Sequence, residues 1–316
     1  MGILWGQGSD ACPTFPSTYY NNVLKVYIFV TNFKLLGVLK MEINYSIDMV
    51  RLKTEIHKDY LQSIILDPFS FEPSVKYKMM TSITAYRHNF YIEDNSDYGV
   101  CSFWIGSSHN ARKSSDHVDF VLEYNPNKCA GSSLLNYVVD YIFKNNNHVE
   151  VKSLDVAIDI PINILDVGYS LKGNMSRRIF DNGSDDKTYY FRKAKSNGAI
   201  KIYNKKRESN LDHELTRYEI TLTPNLCIDL MCAYSVPEDV FIPIRSVSNF
   251  QLPVDLSGTD KVLLLACMDH PEYLKDLDRR KRKKIEQLLA ENCSIGFDYN
   301  IINKTIHDFI NTIYSV

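Results

Sequence analysis

Four stretches of this chain alternate apolar and polar residues with a period of two, and that alternation restricts the fold more than any other feature. In VKSLDVAIDIPI at 151–162, Leu154, Val156, Ile158 and Ile160 share one side, and Asp155, Ala157 and Asp159 share the other. AIKIYNKKRE at 199–208 sets Ile200 and Ile202 against Lys201, Tyr203 and Lys205. LTRYEITL at 215–222 sets Tyr218, Ile220 and Leu222 against Arg217, Glu219 and Thr221. HVDFVLEYNPNK at 117–128 sets Phe120, Leu122 and Tyr124 against Val121 and Glu123. Strand side chains point alternately to the two faces, so each stretch reads as a strand with one buried and one open face. Strands of this kind fit an antiparallel sheet packed on one side only.

The neighbouring segments extend that sheet. Residues 42–56 read as a strand with Ile43, Tyr45, Ile47 and Met49 on one side, followed by a helix near 57–66. Residues 75–92 and 98–106 have strand-like spacing around a turn at Glu93 to Asp97, and 187–193 pairs with 199–205 across a Ser-Asn-Gly turn. Between them, 163–186 is a long excursion rich in Gly, Asn and Asp. Ser132 or Ser133 caps a helix whose Leu134, Leu135, Val138, Tyr141 and Ile142 form a stripe. Beyond Pro224 the chain breaks into short segments and then into helices near 259–269, 271–291 and 299–314. A faint echo links Ser46-Ile47-Asp48-Met49 to Ser153-Leu154-Asp155-Val156, and Pro126-Asn127-Lys128-Cys129 to Pro224-Asn225-Leu226-Cys227. It suggests a duplicated unit, although strings this short also match by chance.

The expected organisation is an appendage at 1–40, a sheet domain at 41–225 and a mostly helical segment at 226–316. Val23 to Leu39 is apolar but broken by Lys25, Asn32 and Lys34, which does not fit a membrane-spanning helix, and it lacks the basic start and small-residue cleavage site of a secretory signal. Seven cysteines form no CxxC pair, so reduced thiols in a cytoplasmic protein are expected rather than a disulfide frame.

The polar faces carry the chemistry. Should the four strands join one sheet, Glu123, Asp155, Asp159, Tyr203 and Glu219 converge on one surface. Oxygen ligands of this number suit magnesium or manganese, and such an ion polarises a phosphodiester. Tyr203 stands between Lys201 and Lys205, and cations there favour the phenolate, a nucleophile toward phosphorus. HxH, HExxH, GxxxxGK[ST] and GxSxG motifs are absent, and His117, His148 and His213 read as surface or turn residues. A net charge of -2 excludes a uniformly basic coat. Even so, Arg192 to Arg207 carries seven Lys or Arg and no acid, and Lys275 to Lys284 again carries seven. These two runs point to phosphate contact.

LEYNPNK, SLDVAID, KIYNKKRE and RYEITL, in that order and spacing over residues 41–225, resemble the replication initiators of Gram-positive rolling-circle plasmids, the trans-acting Rep family. The resemblance implies an α+β fold, with a central, largely antiparallel sheet built from two related halves and helices on one face. It makes Tyr203 the nucleophile that nicks and rejoins one strand at a double-strand origin through a 5′-phosphotyrosine. It gives Glu123, Asp155 or Asp159, and Glu219 to a magnesium or manganese site. From their placement and not from the resemblance, which does not extend residue by residue beyond 225, Lys201, Lys205, Lys206, Arg207 and Arg217 beside Tyr203 are expected to hold the cleaved strand, and Arg279, Arg280, Arg282 and Lys283 on a C-terminal helix to grip duplex origin DNA. Partners on this reading are double- and single-stranded DNA, a second copy in a homodimer and a host helicase, with no membrane. The competing expectation is an origin-binding regulator of the same fold that does not cleave.

Overall fold

The computed structural model describes residues 42–57, 59, 75–80, 86, 88–96, 99–108, 116–146, 148–169, 175–183, 186–246, 252–253 and 255–314. Residues 1–40 and nearly all of the helix expected at 57–66 lie outside these.

Ten strands make the long path of the main sheet. In chain order they are β1 (Asn44–His57), β2 (Val75–Met80), β3 (His88–Ser96), β4 (Gly99–Ser108), β5 (His117–Tyr124) and β6 (Glu150–Ile160). After β7 (Val167–Tyr169), which belongs elsewhere, come β8 (Arg177–Asp181), β9 (Lys187–Phe191), β10 (Ala199–Asn204) and β11 (Thr216–Leu222). The spatial order is β2-β3-β4-β5-β1-β6-β11-β10-β9-β8, with antiparallel neighbours throughout. The two halves have one topology. In each, the first strand lies at the centre, the chain moves to the outer edge, and it then returns strand by strand to pair with that first strand. The echoed Ser-Ile-Asp-Met and Ser-Leu-Asp-Val strings fall on the two central strands, β1 and β6.

One face of the sheet is apolar, and helices cover it. Ser132 caps α1 (Ser133–Asn145) by accepting from the Leu135 amide, and Leu134, Leu135, Val138, Val139 and Ile142 are buried. At the C-terminus α5 (Tyr299–Tyr314) contributes Ile302, Ile306, Ile310 and Ile313, spaced to stay on one helix face, to the same core. These join Leu122, Leu154, Val156, Ile158, Ile202 and Ile220, so the period-two and period-3.6 patterns meet in a single apolar layer. The chain after Pro224 also reaches the sheet, because β12 (Leu226–Cys227) pairs with β6.

A second, smaller core lies between α3 (Gly258–Asp269) and α4 (Arg279–Cys293), built on Leu264, Cys267, Met268, Leu274, Ile285 and Leu289. The single helix expected at 271–291 is two elements, a 3-10 stretch at Pro271–Asp276 and then α4. The reason is local: Asp278 accepts from the Arg280 and Lys281 amides and so caps a new helix. The excursion at 163–186 contains β7, which joins β13 (Ile244–Ser246) and β14 (Ser294–Ile295) in a small antiparallel sheet.

The thiol expectation needs correction. Cys101 on β4 and Cys129 after β5 form a disulfide, their Cα atoms 4.6 Å apart, while Cys227, Cys232 and Cys267 are free. The pairing of β4 with β5 sets the two side by side, which a search for CxxC spacing does not see. Among the described residues no helix is long and apolar enough to cross a membrane.

Arg245 fastens the small sheet to α3. It is 2% exposed, and its guanidinium donates to the Cys267 carbonyl at 3.0 Å and the Met268 carbonyl at 3.4 Å, at the end of that helix. Across the strand pair stands Gly168, where a Cβ would lie 2.6 Å from Arg245 Nε and 2.8 Å from its Cγ. Gly168→Ala therefore overpacks a buried side chain. We expect it to cost about 1–3 kcal/mol, read as a lower urea midpoint with an unchanged m-value.

Candidate active site on the polar face of the sheet

Cross-strand register assembles the polar face into rows. One row runs Tyr203, Arg217, Asp159 and Asn44 across β10, β11, β6 and β1; the next runs Lys201, Glu219, Ala157 and Ser46. Thr221 stands opposite Asp155. Beyond β1, Arg51 pairs with Glu123, which faces Trp104 on β4. All five polar-face residues predicted from alternation therefore share one surface.

A sixth group was missed. On β1, Ile47 pairs with Val156 and Met49 with Asp155, so Asp48 is the extra residue of a bulge. Burial changes phase there, from Ile47 to Val50, Leu52 and Thr54, and Met49 does not share the buried face as its spacing predicts. The EYNPNK string holds this bulge. Asn127 donates to the Ile47 carbonyl at 2.8 Å and Asn125 donates to the Asp48 carboxylate at 3.2 Å, while the Asn125 side-chain Oδ1 accepts from the backbone amides of Asn127 and Lys128. The echo of Asp48 in Asp155 was the sequence signal that could have found it.

Two arginines neutralise part of this acidity. Arg217, 8% exposed, donates through Nε and Nη2 to Asp159 at 2.7 and 2.8 Å and through Nη1 to Asp48 at 2.9 Å. It is an internal cation of the site, not the free strand contact predicted. Arg51 donates to Glu123 and lies 5.6 Å from the Trp104 ring centroid. Among the described residues, arginines act on Asp155 and Glu219 only as weaker fields, Arg51 on the first and Arg217 on the second. Burial, with the negative fields of Asp48 and Glu123, pushes Asp155 up to about 6 against a hydrogen bond from Thr221. Burial, with Asp155 and Asp48 adding to it, pushes Glu219 up to about 7 despite Lys201.

The charge inventory leaves a deficit. Five carboxylates, Asp48, Glu123, Asp155, Asp159 and Glu219, face three cations, Arg51, Lys201 and Arg217, so two negative charges are uncompensated when all ionise. A hard divalent cation fits that deficit and that all-oxygen donor set. As the side chains lie, no three His, Cys, Asp or Glu among the described residues stand close enough together to hold one.

Tyr203 is on the predicted face but in a different electrostatic state. It is 6% exposed, and burial, followed by the fields of Glu219 and Glu208, pushes its phenol well above the ordinary tyrosine range. The two expected cations do not prevent this. Lys201 sits over the ring, 3.9 Å from its centroid, where it meets the π face and not the oxygen. Lys205 has left the strand, because the Asn204 side chain accepts from the Arg207 amide and starts α2 (Lys205–Ser209). There Lys205 pairs with Glu208, whose carboxylate accepts a hydrogen bond from Tyr203. Glu208 lies inside the KIYNKKRE string but drew no role, because its partner stands five residues back on a different element.

The other basic residues are also partly engaged. Lys206 pairs with Glu214 at 2.5 Å and Arg207 with Asp186 at 3.4 Å. On α4, Arg282 is tethered to the carbonyls of Leu274, Lys275 and Leu277 at 2.6, 2.7 and 3.1 Å. Its job is to close the 3-10 to helix corner. Arg279, Arg280 and Lys283 are exposed. Tyr189 is on the apolar face, 9% exposed, whereas Tyr190 stands opposite Lys201 on the polar one. His117, His148 and His213 are exposed, as expected.

No family model matches the chain, and no curated protein matches it. Among solved structures it is similar to one described as a rolling circle replication initiator protein from Geobacillus stearothermophilus. That likeness covers 87% of this chain and 98% of the other at 13% identity, with a TM-score of 0.36.

The raised carboxyls make stability depend on pH. Asp155 and Glu219 bind their protons more tightly folded than unfolded, so the stability they confer is complete below about pH 4. It is lost as pH rises through about 6 and about 7. Urea denaturation in chelator at pH 5 and pH 8 should show this fall, and Glu219→Gln should remove a large part of it. An identical pH profile in the variant would show that Glu219 does not carry the deficit.

Proposed function

We propose that this chain is a divalent-cation-dependent enzyme that nicks and rejoins one DNA strand to start rolling-circle replication, with Tyr203 as nucleophile. The observation that carries the reading is the single polar face on which a buried tyrosine lies beside a carboxylate cluster lacking two positive charges. The resemblance of the EYNPNK and IYNKK strings to the trans-acting Rep family supports the same assignment.

On this reading the scissile phosphate lies against Tyr203, whose oxygen forms the new bond to phosphorus as the bond to the 3′ oxygen breaks. The phenolic proton leaves toward the Glu208 carboxylate, whose proton affinity Lys205 lowers, and on to solvent, and the departing 3′ oxygen takes a proton from solvent in turn. The products are a 5′-phosphotyrosine and a free 3′ hydroxyl that serves as primer, and the reverse reaction rejoins the strand. Magnesium or manganese held by Asp155 and Glu219, with Asp48 or Glu123 completing the set, would supply charge neutralisation at the phosphate. Arg217 positions Asp48 and Asp159, and Lys201 holds the Tyr203 ring.

Tyr203→Phe should bind origin DNA yet form no covalent adduct on a denaturing gel. Glu219→Ala should lower nicking on the order of 10²–10³-fold while leaving binding in chelator unchanged. Full nicking by the Tyr203 variant removes it from the mechanism. DNA binding with no cleavage in either metal would favour the regulator of the same fold.

Duplex binding is assigned to the exposed face of α4. Replacing Arg279, Arg280 and Lys283 by Ala should weaken duplex affinity and flatten the slope of log affinity against log salt by roughly 0.9 for each phosphate no longer neutralised. Arg282→Ala should instead lower stability, because its carbonyl partners are left without their donor.

A further inference from the structure

The hairpin of β8 and β9 forms the outer edge of the second half, and its exposed surface continues the rows of the candidate site. Phe180 stands opposite Thr188, which stands opposite Tyr203; Arg178 stands opposite Tyr190, which stands opposite Lys201. Strands lie about 4.8 Å apart, so Phe180 is roughly 10 Å from the nucleophile along its own row. The short Thr188 occupies the position between them. Ordinary core packing does not account for Phe180, which is 54% exposed at a sheet edge. Its ring meets Tyr190 edge to face, 5.5 Å between centroids and 83° between planes, which leaves ring surface facing outward. Arg178 beside it is exposed. The alternate residue Arg177 points the other way, donating to the Tyr169 hydroxyl at 2.7 Å, and Ile179 on that side is 43% exposed.

We infer that Phe180, Tyr190 and Arg178 form a subsite for single-stranded DNA, in which a base near the scissile phosphate stacks on the aromatic pair and Arg178 meets the backbone. The inference rests on the reading of Tyr203 as nucleophile for its location, but not for its chemistry. Outward aromatic surface with an adjacent guanidinium is the composition that binds unpaired strands without reading sequence, because every base has a π face. A duplex offers its bases no such access, so the occupant is single-stranded. Continuity with the Tyr203 row favours DNA here over a second copy of the chain, and the charged Arg177, Arg178 and Asp181 disfavour strand-to-strand pairing at this edge.

The test measures binding without cleavage. A fluorescein-labelled single-stranded oligonucleotide of mixed sequence is titrated with full-length protein in chelator, and a parallel oligonucleotide carrying 2-aminopurine reports stacking by its quenching. Phe180→Ala should weaken single-strand affinity about 5- to 100-fold, abolish the quenching and leave duplex affinity and thermal midpoint unchanged. Phe180→Trp should restore both signals, and Arg178→Gln should flatten the single-strand salt slope by roughly 0.7. Unchanged single-strand affinity in Phe180→Ala overturns the inference. So does a change in sedimentation with DNA binding intact, which would make this edge an interface between copies. Loss of single-strand affinity in Phe180→Ala alongside full nicking by Tyr203→Phe would leave the subsite standing and remove the proposed nucleophile.

Discussion

The three-way contact of Arg217 with Asp159 and Asp48 holds the polar face together. Its guanidinium lies on β11, one carboxylate on the neighbouring β6 and the other on the bulge of β1 one strand further on, so a single side chain spans the seam between the two halves. Buried carboxylates repel, and leaving them unpaired is costly. With Arg217 and Arg51 in place, burial first and the remaining repulsion second raise Asp155 and Glu219, which hold their protons up to about pH 6 and about pH 7. The acidity of the site is thus distributed unequally, with some carboxylates locked to guanidinium and others left available to a cation.

Tyr203 is governed by the same balance. Its ring is buried on the polar face beneath Lys201 and its oxygen lies near acids, so burial and charge act together to keep the phenol protonated. To act as the proposed nucleophile, a phenol in that state requires a proton acceptor within reach and a compensating positive charge nearby. Glu208, anchored by Lys205 on a short helix that Asn204 starts, fulfils the first requirement. The second is not met by the protein's own groups, because the carboxylates around Asp155 and Glu219 outnumber their cations; a bound divalent cation would supply it.

Much of this was legible in the residues alone where one rule acted at a time. The faces of β5, β6, β10 and β11 follow from strict alternation, and with them the convergence of Glu123, Asp155, Asp159, Tyr203 and Glu219. What alternation could not show was any event that changes its phase. The bulge at Asp48 flips β1 from one face to the other, and the cap at Asn204 moves Lys205 off the strand. Ionisation was illegible for another reason: the state of Tyr203 depends on Glu219 and Glu208, which approach it through pairing and through a helix turn. Arg217 and Arg282 each looked like free positive charge, and each is engaged by partners distant in sequence or around a corner. The Cys101–Cys129 bond belongs to the same class, created by strand neighbours and not by spacing.

The repeated topology of the two halves extends beyond architecture. Aligning the halves through the Pro-Asn strings and following the pairing outward, Gly106 and Ser108 on β4 hold the register positions that Lys201 and Tyr203 hold on β10. The seam carries acids from both copies, Asp48 and Asp155, whereas the phenol is present in one copy only. The two halves therefore share a path but not their residues, and the polar face of the sheet differs on the two sides of the seam.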